Sequence, residues 1–122
     1  MEDPADLVFD TSYQCEINFD HIFDQSKDRL PGILRDNRTL AISAIQGSVQ
    51  LLTQKIIRNY KIAIPHWHEG RMQLLLPLNL TSENEADLAL VADKDKARRI
   101  YRIRTVLTMD MAYVDARLIK KA

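Results

Sequence analysis

Asn59-Tyr-Lys-Ile-Ala-Ile-Pro-His-Trp-His-Glu-Gly-Arg-Met-Gln-Leu-Leu-Leu-Pro-Leu-Asn-Leu80 sets an apolar run, a compact histidine and aromatic turn and a second apolar run end to end. Lys61–Pro65 and Arg71–Leu78 read as strands, and the connection His66–Gly70 is too short for anything but an antiparallel hairpin, since parallel neighbours need a crossover of about a dozen residues or more. Two further strands follow, Asp87–Asp93 and Arg98–Leu107, joined by the equally short Lys94–Ala97. The result is an antiparallel meander.

Upstream of the meander the period changes. Ile42, Ile45, Val49, Leu52 and Ile56 mark one stripe of an amphipathic helix running to about Arg58, with Asp36 or Asn37 placed to cap it. Gly47, in its middle, costs about 1 kcal/mol against alanine and suits a close approach by another element. Before the helix, Tyr13, Cys15, Ile17 and Phe19 alternate with polar residues, the period of a half-buried strand over Tyr13–Phe19. His21–Leu30 reads as a short helix or loop ended by Pro31-Gly32. A closing helix from about Thr108 to Lys120 carries Met109, Ala112, Ala116 and Ile119 as a stripe able to lie against a sheet. The fold class is α+β: an antiparallel β-meander packed by a long central helix and a C-terminal helix, with the helices on one face. Residues 1–12 form an acidic lead-in and 13–122 a single domain.

The 122 residues are 46% apolar and 28% charged, ordinary for a folded domain. The longest apolar run, Met72–Leu80, is interrupted by Gln73, Pro77 and Asn79 and falls well short of the roughly 20 residues of a membrane span. The acidic start, with no apolar signal region, and the single cysteine, Cys15, point to a reducing cytoplasm. Net charge is zero, yet residues 1–36 hold nine acids and three bases while residues 94–122 hold nine bases and three acids. A basic C-terminal surface suits an anionic partner; the plainer reading is that the two ends neutralise each other.

Three groups of residues carry possible chemistry. His66 and His68, alternate residues beside Glu69, match a divalent-metal pair that lacks further ligands nearby, with His21 and Asp110 available only if the fold delivers them. The plainer reading is a hairpin tip with Trp67 folded over its neighbours. Arg102 and Arg104 alternate on one strand, with Arg71 and Gln73 on a matching face; arginine forks suit phosphate oxygens, and Trp67, Tyr60 or Tyr101 offer rings for stacking on a base. Asp110, Tyr113 and Arg117 form a polar stripe on the closing helix, able to orient a ligand or to form an ion pair. Catalysis lacks a motif: Cys15 has no evident base, no serine sits in a nucleophile elbow, and three glycines in the whole chain build no phosphate-cradling loop.

Four ordered blocks, Arg58-Asn-Tyr-Lys-Ile-Ala-Ile-Pro65, Met72-Gln-Leu-Leu-Leu-Pro-Leu78, Ala86-Asp-Leu-Ala-Leu-Val91 and the run Thr105–Leu118 containing Leu-Thr-Met-Asp-Met-Ala-Tyr, resemble the C-terminal part of the DUF3825 family over residues 58–118. The resemblance implies a bacterial protein of a family whose members stand beside RNA-associated modules. The chain departs from the family pattern at His66-Trp67-His68, where a tyrosine-rich turn is expected, and at Lys121-Ala122, where a short tail with a tryptophan is expected.

The expectation is a non-catalytic binding or interaction domain without a cofactor, associated with RNA or a nucleotide through a basic sheet face. One alternative is a small metal-dependent hydrolase or nuclease centred on the histidine turn. The other is a self-associating module, a homo-oligomer using the apolar strands Leu74–Leu78 and Leu88–Val91.

Overall fold

The computed structural model describes residues 8–114, apart from the side chain of Tyr60. Strand β1 (Gln14–Ile17) leads into helix α1 (Phe19–Gln25), a 3-10 turn (Lys27–Arg29), the single-turn helix α2 (Gly32–Arg35) and the long helix α3 (Arg38–Arg58). A second 3-10 turn (Tyr60–Ile62) delivers the chain to β2 (Ile64–His68), β3 (Arg71–Leu78), β4 (Leu88–Asp95) and β5 (Ile100–Thr108), and residues 109–114 are helical. The rest of the segment expected to form the closing helix, with Ala116, Arg117 and Ile119, lies outside the described residues.

The apolar stripe of α3 decides its orientation. Ala41, Ile45, Leu52 and Ile56 are buried and Ile42 and Val49 half-buried, while the Asn37 side chain accepts the Leu40 amide hydrogen at 3.0 Å and so caps the first turn. Gly47 is exposed on the opposite side, and a methyl group built there meets nothing within 4 Å. The close approach expected at that glycine is therefore absent.

The five strands form one sheet in the order β1-β5-β4-β3-β2. β2 to β5 make the antiparallel meander, and β1 adds to it parallel to β5. Alternation sorts the side chains to two faces. Leu74, Leu76, Leu78, Leu88, Leu90, Ala92, Tyr101, Ile103 and Val106 join Ile45, Leu52 and Ile56 of α3 in the main core. Leu75, Ala89, Val91 and Leu107 face the other way, where Ala112 and Met109 of the closing helical segment cover part of them. The helices thus lie on both faces, and not on one as the sequence pattern implied.

β5 contains a bulge. Val91 pairs with Thr105 but Ala92 with Ile103, so Arg104 is an extra residue on its strand. Past β1, the free edge of β5 is closed by side chains: His21 Nδ1 donates to the Arg104 carbonyl at 2.7 Å and Arg29 Nη1 to the Val106 carbonyl at 2.8 Å. These bonds satisfy backbone acceptors that would otherwise form an open template.

Two residues of the segment read as a lead-in, Phe9 and Asp10, contact the core. Phe9 is buried and stacks on Tyr101, ring centroids 4.4 Å apart, and the Asp10 amide donates to the Tyr101 hydroxyl at 2.7 Å. No helix among the described residues is long and apolar enough to cross a membrane.

Candidate functional site

The hairpin between β2 and β3 is tighter than its sequence suggests. β2 continues through His66, Trp67 and His68, and the turn is only Glu69-Gly70, with φ values of +49° and +78°. Positive φ at both central residues is the type I′ pattern that matches the twist of the flanking strands. Glycine adopts it without steric cost; Glu69 does not. Because the histidines belong to the strand, their facing is set by alternation: His66 lies opposite Gln73 and His68 opposite Arg71, all on the sheet face away from α3.

That face carries a polar row crossing four strands. His66 neighbours Gln73, the Gln73 amide donates to Asp93 Oδ1 at 2.8 Å, and Asp93 pairs in register with Arg102. Arg71 Nη1 stands 3.8 Å from Asp93 Oδ1, and Arg102 Nη2 bonds Asp95 Oδ2 at 3.0 Å. The His66 and His68 rings lie 5.6 Å apart, tilted by 22°, and His68 Nε2 is 3.6 Å from Glu69 Oε1. Arg71 and Arg102 are thus held by neighbours on β4, and among the described residues no acid of the N-terminal segment pairs with them.

Two adjoining cavities occupy the face. The first, of about 380 Å³, is lined by His66, His68, Glu69, Arg71, Gln73, Asp93, Arg104 and Thr105, with Arg29 and Met111 at its side. The second, of about 290 Å³, is lined by Arg71, Asp93, Arg102 and Arg104 together with Lys94 and Asp95 at the end of β4 and Lys96 from the following turn. Five cationic side chains, Arg29, Arg71, Arg102, Arg104 and Lys96, line the pair with three carboxylates, whereas the Lys94 ammonium lies over the Tyr13 ring, 5.1 Å from its centroid, on the α3 side. A protein of zero net charge therefore concentrates positive charge in one concave place.

The family question is settled by a match over the whole chain. A model of DUF3825, a domain of unknown function, matches residues 1–122. The chain belongs to the DUF3825 family. The likeness is not confined to residues 58–118, so the strand, helices and cap before the meander are part of the DUF3825 domain. No curated protein and no solved structure matches the chain.

Within this DUF3825 domain the residues singled out from the sequence separate clearly. Arg71, Arg102, Arg104, His66 and His68 come together. Trp67 does not: it alternates with the histidines, pairs with Met72 and is half exposed on the opposite face. Tyr101 is fully buried beneath Phe9 and has no face to offer a base. Asp110 and Tyr113 are exposed and line neither cavity, Arg117 lies outside the described residues, and so does the side chain of Tyr60. His21 is engaged at the edge of β5, and no three His, Cys, Asp or Glu side chains among the described residues gather into a group able to hold a metal ion. Leu74–Leu76, Leu78 and Leu88–Val91, singled out for self-association, are buried in the central strands β3 and β4.

Asp93, Asp95, Thr105 and Arg29 join the site without having been picked out. Alternation from Arg71 and Gln73 across the β3–β4 pair carried a signal for Asp93. Arg29 carried none, because it reaches β5 from a 3-10 turn 77 residues away in sequence.

Proposed function

We propose that this domain binds the phosphates of single-stranded RNA or a nucleotide on the sheet face opposite α3. The observation that carries the reading is the convergence of Arg71, Arg102 and Arg104, from two strands and a bulge, beside His66 and His68. Each guanidinium has five N–H donors, so the bond from Arg102 to Asp95 leaves others to meet phosphate oxygens. The carboxylates of Asp93 and Asp95 hold two of the arginines in place, which reduces the ordering needed on binding. Binding by positioned cations is the chemistry these residues support.

The test is anisotropy of a fluorescent oligouridylate against the protein at rising salt. Binding at low salt that weakens steadily as salt increases supports the proposal. A folded protein that fails to bind at low salt overturns it.

A further inference from the structure

The two cavities are not separate sites, because Arg71, Asp93 and Arg104 line both. Along β4 the track they form runs from Val91, in the first cavity, to Asp95, in the second, about 14 Å at the rise of a strand. Arg104 sits at the junction because of the bulge: as the extra residue between the pairs Val91↔Thr105 and Ala92↔Ile103, it is inserted where the two cavities meet. Arg102 lines only the second cavity, and the histidine pair only the first.

We infer that the track is built for a phosphodiester chain of about three nucleotides and not for a mononucleotide, a step that rests on the phosphate-binding reading above. A mononucleotide presents its charge at one end and can fill only one of two adjoining cationic cavities. A chain lays successive phosphates past Arg104 and on to Arg102, so each added phosphate gains a charge-assisted contact until the track is full. Asp95 tempers the far end, because its carboxylate takes part of the Arg102 fork and repels the phosphate placed there.

The experiment is an affinity series for 5′-phosphorylated uridylates of one to five nucleotides, by calorimetry at low salt. The expected result is a rise of at least tenfold from one nucleotide to three, then a plateau. Arg102→Gln flattens the series, bringing the trinucleotide close to the mononucleotide. Asp95→Asn raises trinucleotide affinity about two- to fivefold, a gain that misfolding cannot imitate. Equal affinity at every length overturns the inference and leaves phosphate binding standing. An Arg102→Gln protein that loses the same factor for one nucleotide and for three also overturns it, as does an Asp95→Asn protein without the gain. No binding at any length removes the phosphate-binding reading as well.

Discussion

Removing the Arg104 charge, by Arg104→Gln, changes how binding responds to salt. In the proposed binding mode Arg71, Arg102 and Arg104, which line one cavity, each meet about one phosphate, and a single-stranded ligand loses affinity with a slope of about −0.7 per neutralised phosphate in log K against log salt. Three contacts give a slope of about −2.1, so raising salt from about 50 to 200 mM weakens binding about 18-fold. With two contacts the slope is about −1.4, and the same change costs about sevenfold. Arg104 suits this measurement because it is exposed and makes no ion pair among the described residues. Its loss therefore leaves no buried charge stranded. The assay is fluorescence anisotropy of a labelled oligouridylate from 25 to 250 mM salt, with thermal melts to show an unchanged fold. An Arg104→Gln protein with the wild-type slope refutes the assignment of a phosphate to this residue.

Three further outcomes concern stability. Gly47→Ala, at an exposed mid-helix site with open space around it, stabilises the fold by about 0.5–1 kcal/mol in urea unfolding. Asp87 accepts hydrogen bonds from the Leu80 and Thr81 amides and the Thr81 hydroxyl, at 2.7, 3.0 and 2.7 Å, and Asp87→Ala costs about 2 kcal/mol by the same measurement. Alkali weakens the fold. Burial pushes the Cys15 thiol from 9.0 up to about 11 and the Tyr101 phenol from 10.0 up to about 12, so the folded chain holds these protons more tightly than the unfolded one. Their contribution is complete below pH 9 and is lost as pH rises from there through about 12, which thermal melts across that range report as a falling midpoint.

Much of the architecture was legible because it depends on local period. The stripe of α3, the Asn37 cap and the three long strands β3, β4 and β5 are patterns legible in the local sequence. The parallel pairing of β1 was not legible: four residues of alternation fix a strand but not its neighbour. Nor was the side on which the closing helix lies, since Met109 and Ala112 fit either face and only the small second cluster decides it. At the site, alternation paired His66 with His68, Arg71 with Gln73 and Arg102 with Arg104, and set Tyr101 opposite in facing to Arg102; that the histidines join the arginines, and that Trp67 does not, follows from β2 running on through His68, where the sequence suggested a turn. The bulge at Arg104 was invisible, because no turn residue or glycine marks it; it exists where β4 and β5 must reconcile their registers.

The most direct test of the sheet face is a map of amide chemical-shift changes on titrating the protein with a trinucleotide. Binding in the track predicts the largest changes at His66, His68, Arg71, Gln73, Asp93, Arg102 and Arg104, with the outer surface of α3 around Gly47 unmoved. Changes concentrated on α3, or around Trp67 and Met72 on the opposite face, would contradict the account.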